Sequence, residues 1–99
     1  MFIKEKMTQF GIPAKYWRLG MITIDRNLRE ASYTLNLYIT PESSQFIDGY
    51  TVSLLGMEDK TQYNEYFEGN KYGNIYAACY EHAKKYEEFF KDAIDDGNL

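Results

Sequence analysis

His82 is the single histidine and Cys79 the single cysteine, and they stand three residues apart. On a helix that spacing brings two side chains onto one face, so a thiol–imidazole pair is the first chemistry to weigh. Such a pair also needs an orienting third group, oxyanion donors and a thiol of lowered pKa, and the neighbouring sequence supplies none of them. No second thiol or imidazole stands at metal-ligand spacing. His82 therefore reads as the margin of a helix stripe, and Cys79 as a small hydrophobe on it. The acidic clusters Glu58-Asp59, Glu87-Glu88 and Asp92–Asp96 have the charge to hold a cation or imitate phosphate spacing. A solvated helix face and a fraying terminus explain them more cheaply. Gly69–Gly73 neither follows a strand nor ends in the lysine and hydroxyl of a phosphate loop. The expectation is a protein with no catalytic residues, no cofactor and no metal.

The element carrying most of these groups reads as one C-terminal helix. Asn74 is a good N-cap, and from Ile75 the apolar spacing becomes helical: Ile75, Cys79, Ala83, Tyr86, Phe90 and Ala93 form one stripe, widened by Tyr76, Phe89 and Ile94. Glu81–Lys85 and Glu87–Lys91 stand in the favourable i,i+4 order on the other face. The helix is expected from Ile75 to about Asp95, with Gly97 placed to end it.

Upstream the period is two. Ala31, Tyr33, Leu35, Leu37 and Ile39 alternate with Ser32, Thr34, Asn36, Tyr38 and Thr40, the pattern of a strand with one buried face. Pairing Ile24 with Ala31 and Ile22 with Tyr33 puts apolar side chains opposite each other and leaves Arg26-Asn27-Leu28-Arg29 as the loop, with Asn27 carrying the positive φ. Before it, Trp17, Leu19 and Met21 share one parity and Tyr16, Ile22 and Ile24 the other. Either the strand is covered on both faces, or a bulge near Gly20 switches parity. Phe2–Phe10 reads as a short edge strand ended by Gly11, and Phe46–Leu55 as a further strand returning antiparallel. Between Gly56 and Gly73 the chain is polar and rich in tyrosine, an irregular segment with a short strand or helical turn around Gln62–Phe67.

Ninety-nine residues make one domain, mainly β over 2–56, irregular over 57–73 and helical over 74–96. The class is α+β: a small antiparallel sheet of three to five strands with one C-terminal helix packed on it. A net charge of −4 argues against nucleic acid as partner. No apolar run approaches the roughly 20 residues that cross a bilayer, and no signal-peptide core is present, so neither a membrane nor secretion is expected. Ten Tyr, six Phe and one Trp suit a protein that works through contacts.

Two stretches carry a resemblance. Gly11–Arg18, GIPAKYWR, followed by the strand–turn–strand, and Tyr86–Asp96, YEEFFKDAIDD, resemble short proteins encoded in prophages of Gram-positive bacteria near the tail and lysis modules. The likeness covers the two ends and leaves Gln45–Tyr72 unmatched. It implies a noncatalytic virion-associated or assembly protein of tail or baseplate, made in the host cytoplasm, with other phage proteins as partners. A sheet apolar on both faces with one covering helix would keep a surface to bury by self-association. Trp17, Leu19 and Met21 are expected there, joined by Tyr63, Tyr66 and Phe67. The alternative is a small acidic phage-encoded inhibitor that binds a host protein by nucleic-acid mimicry, presenting Asp92, Asp95 and Asp96.

Overall fold

The computed structural model describes all residues from Met1 to Leu99. Its centre is a hairpin of β2 (Pro13–Asp25) and β3 (Glu30–Tyr38), in which Ile22 opposes Tyr33 and Ile24 opposes Ala31 as the alternation predicts. Residues 26–29 form the loop. Asp25 Oδ1 accepts from the backbone N–H groups of Asn27 and Leu28, and the left-handed residue is Arg29 (φ 53°), not Asn27. The aspartate holds Asn27 in the body of the turn, so the reversal in handedness falls on the residue that re-enters the strand.

The register slips by one between Leu19 and Ile22, which places a bulge at Gly20-Met21. Its freed donors are not left unpaired: Leu19 N–H reaches the Tyr80 hydroxyl (3.1 Å) and Met21 N–H the Thr34 Oγ1 (3.0 Å). Glycine is required here by space, since a Cβ on Gly20 would lie 2.7 Å from Thr34 Oγ1 and closer still to Asn36 Nδ2. The bulge changes parity, so Trp17, Leu19, Ile22 and Ile24 all face one side of the sheet, and Met21 faces the other.

Two further strands flank the hairpin. β1 (Phe2–Met7) pairs with β2, and β4 (Asp48–Ser53) pairs with β3, both antiparallel. β1 is not an edge, because β5 (Ile94–Asp95) pairs along its outer side, giving the order β4-β3-β2-β1-β5. A second irregularity, between Ile3 and Lys6, leaves the Lys4 carbonyl to accept from Trp17 Nε1 (2.9 Å).

The fold is α+β, with two helices rather than one. α1 (Thr61–Tyr66) orders part of the segment expected to be irregular and is the helical turn, not the short strand, of the two readings around Gln62–Phe67; α2 (Ile75–Tyr86) begins at Asn74, whose side chain accepts from Ala77 N–H (2.8 Å). α2 stops at Tyr86, well short of Asp95. Glu87 is extended (φ −99°, ψ 113°), a 3₁₀ turn covers Glu88–Phe90, and the chain then joins the sheet as β5. Packing overrides helical spacing here. In a continuous helix Phe89 and Phe90 would diverge by about 100°; with the helix broken, both rings reach Trp17 (5.4 and 5.2 Å between centroids) and Tyr50 (6.1 and 5.1 Å). The expected Glu81–Lys85 and Glu87–Lys91 pairs give way to Glu65–Lys85 (3.0 Å) and Glu88–Lys91 (2.8 Å). Gly97, expected to end the helix, instead follows β5.

The main core lies between the sheet and α2 with its 3₁₀ extension: Phe2, Trp17, Leu35, Leu37, Cys79, Tyr80, Ala83 and Phe90 are its centre. Burying each large side chain contributes about 1.5–3 kcal/mol. A smaller cluster of Ala31, Leu54 and Tyr63 sits under α1. No helix is long and apolar enough to cross a membrane.

Candidate functional site

The residues expected to form an interface do not share a surface. Trp17, Tyr63 and Tyr66 are interior, Leu19 and Phe67 are half-buried, and Met21 alone is open, at 73% exposure. The bulge explains the strand residues: it turns Trp17 and Leu19 inward with Ile22 and Ile24 while Met21 points away. For the aromatics of α1 the cause is the helix itself, which lays Tyr63 on Ala31 and Leu54 and sets Tyr66 against His82, with ring centroids 5.3 Å apart.

What the fold leaves open is the sheet face away from the helices. The row Phe2–Trp17–Leu37 points into the core, so by alternation the next row, Ile94–Ile3–Tyr16–Tyr38, lies on the opposite face across four strands. Phe46 extends this band, packing edge-on against Tyr38 at 6.2 Å. Ile94 is 65% exposed and Phe46 57%, Ile3 and Tyr16 are half-buried, and Tyr38 is only 9% exposed. Arg18 lies over the Tyr38 ring, 3.9 Å from its centroid, and donates to the Ser43 carbonyl, which fixes the ring and borders the band with charge. Beyond Arg18 the same face turns polar, through Asn36, Thr34 and Thr51.

This band was legible in one respect. Tyr16 and Tyr38 occupy the outward parity of strands whose other outward residues are small or polar, and Tyr38 interrupts the series Ser32, Thr34, Asn36. An aromatic at such a position needs a partner on the solvent side of a sheet. Ile94 carried no such signal, because its spacing placed it on a helix.

On the helix side, His82 is only 1% exposed and fully satisfied. Its Nε2–H donates to Gln62 Oε1 (2.7 Å), which leaves Nδ1 to accept from the Tyr33 hydroxyl (2.7 Å). One imidazole thus ties β3, α1 and α2 together. Burial lowers its pKa to about 4, against a smaller opposing pull from Glu65. Cys79 is fully buried and its thiol is pushed up to about 12, so it lacks the thiolate that a nucleophile needs. The two residues share a helix, but the histidine's contacts run to Tyr33 and Gln62.

The acidic groups are largely engaged by the chain. Asp92 pairs with Lys4 (2.6 Å), and Asp95 and Asp96 flank the Met1 ammonium at 3.8 and 3.4 Å. Asp59 accepts from both the backbone N–H and the hydroxyl of Thr61 (2.9 and 2.6 Å) at the start of α1. Gly69 and Gly73 are left-handed turn residues between the helices, in a segment that does not follow a strand. No family model, no curated protein and no solved structure matches the chain.

Proposed function

We propose that this chain is a noncatalytic structural or assembly protein of a phage or prophage, working at the tail or baseplate through self-association and contacts with other phage proteins. The observation that supports it is the band Ile94–Ile3–Tyr16–Tyr38–Phe46, an apolar and aromatic strip on the sheet face away from the helices, open at its Ile94 and Phe46 ends and half-buried at Ile3 and Tyr16, with Tyr38 covered by Phe46 and Arg18. A surface of that kind, bordered by Arg18 and polar residues, has the make-up of a protein-binding face. The assignment to phage tail or baseplate rests on the resemblance of Gly11–Arg18 and Tyr86–Asp96 to prophage proteins. The band replaces Trp17, Tyr63 and Tyr66 as the contact surface, and Met21 stands on the same face beyond Arg18.

No observation favours the alternative of an acidic nucleic-acid mimic. The carboxylates it would present, Asp92, Asp95 and Asp96, already face cations of the chain.

The test is the mass in solution, by native mass spectrometry and light scattering over a wide concentration range. A discrete oligomer that Tyr16→Asp or Ile94→Asp converts to a monomer of unchanged circular dichroism is the expected result. A strict monomer at high concentration, or an oligomer that both substitutions leave intact, would refute self-association through this face.

A further inference from the structure

The helix-bearing side carries a feature that the open-face contact does not use. A cavity of about 210 Å³ lies between the end of β4, the approach to α1 and the end of α2, walled by Val52, Leu54 and Met57 on its apolar side and by Ser53, Gln62, His82, Tyr86 and Glu87 on the other. At this size it holds a small group rather than a large cofactor, and its lining is divided between an apolar wall and a polar one, so an occupant must itself be part apolar and part polar.

Glu87 sets the chemistry. Its backbone is the extended residue that ends α2, which turns it out of the helix's exposed face and into this wall. The carboxylate is partly desolvated, which raises its pKa, and its charge is felt by the hydroxyls of Tyr33 and Tyr50. Yet no cation of the chain pairs with it. The nearest lysines in sequence are committed elsewhere: Lys84 to the Ala93 carbonyl, Lys85 to Glu65 and Lys91 to Glu88. His82 cannot serve as the counter-charge, since both its nitrogens are engaged and burial keeps it neutral near pH 7. What remains is a carboxylate without a cationic partner at the cavity wall; the ring of Tyr86 beside it is already met by Lys85, 5.4 Å from its centroid.

We propose that this cavity binds an alkylammonium group, its nitrogen against Glu87 and its methylenes along Val52, Leu54 and Met57, supplied either by a small primary amine or by a lysine side chain of a partner. The charge and the length of the apolar wall are complementary to that group. An anion would meet Glu87 unscreened, and a neutral alkyl chain would leave the carboxylate unpaired.

The experiment titrates the isotopically labelled protein with n-butylammonium chloride and, in a second arm, with Nα-acetyl-lysine N-methylamide, against n-butanol and sodium chloride at matched concentration. Saturable shifts at Val52, Met57, Gln62 and Tyr86 are expected with an ammonium and not with the alcohol. Stronger binding of the butylammonium points to a free amine, and stronger binding of the lysine derivative to a partner's side chain. Glu87→Gln keeps the shape and removes the charge, and it should weaken binding roughly tenfold or more. Met57→Trp, which fills the cavity and leaves the carboxylate, should abolish it. Absence of saturable shifts with both amines, an equal response to n-butanol, or unchanged binding by Glu87→Gln would overturn the proposal. None of these outcomes bears on the open-face contact, which lies on the other side of the sheet.

Discussion

Acidification should weaken this fold in a window set by one residue. His82 is held neutral between Tyr33 and Gln62, with its pKa lowered to about 4 by burial, whereas in the unfolded chain it takes a proton near 6.5. The unfolded state therefore binds the extra proton first, so stability falls as pH falls. The contribution is complete above about pH 6.5, declines through the interval and is exhausted below about 4. At about 1.4 kcal/mol per pH unit, the gap between 6.5 and about 4 is worth about 3 kcal/mol, a large part of what a domain this size possesses. Glu87 opposes this near the lower end, because its raised pKa makes protonation favour the folded state there. Asp48 and Asp92 act lower still, since their hydrogen bonds to Lys6 and Lys4 hold their carboxyls below the usual range. The slope is accordingly read between pH 6.5 and 5.5, by urea denaturation at fixed ionic strength. His82→Gln provides the comparison: less stable at pH 7.5, where it loses the buried network, but flat across that window. A flat profile in the parent protein, or the same slope in His82→Gln, would refute the reasoning. Because the chain has a single histidine, nuclear magnetic resonance of its ring supplies an independent reading, and no titration should be seen above about pH 5.

Two further outcomes are expected. Gly20→Ala should cost about 1–3 kcal/mol by forcing a methyl group into Thr34 and Asn36; adding Asn36→Ala should restore part of it, as read by thermal unfolding of the single and double variants. Phe90→Ala should cost about 3–5 kcal/mol, because its fully buried ring packs on Phe2, Trp17 and Tyr50. An unchanged melting temperature would contradict the placement of the 3₁₀ turn.

The strand pairing of Ile22–Asp25 with Glu30–Tyr33 was readable because alternation in β3 admits one register only; a slip by a single residue would turn Tyr33 and Leu35 to solvent. Apolar residues of both parities left a doubly covered strand and a bulge near Gly20 as alternatives, and the register slip between Leu19 and Ile22 decides for the bulge. The end of α2 was hidden for the opposite reason. Tyr86, Phe90 and Ala93 fall at helical spacing, yet Phe90 and Ala93 reach the core through a 3₁₀ turn and the bend that follows it. Spacing reports which residues are buried without reporting the backbone that buries them. The excess of aromatics misled in the same way, because Trp17, Tyr63 and Tyr66 fill the interior, while the open band depends on β5, a strand of two residues with no pattern of its own. His82 offered a fainter clue: a polar ring on an apolar stripe must find partners, but Tyr33 and Gln62 come from distant parts of the chain.

The pairing of β5 with β1 joins residues near position 3 to residues near position 94. During synthesis the hairpin of β2 and β3 can close as soon as it leaves the ribosome, whereas Phe2 and Trp17, even with Tyr80 of α2 already against Phe2, are not sealed until Phe90 arrives. A nascent chain stalled before that point would present these rings to chaperones and proteases. Quality control would therefore be most demanding on the products of late truncation, which hold nearly all of the sheet and lack the segment that seals it.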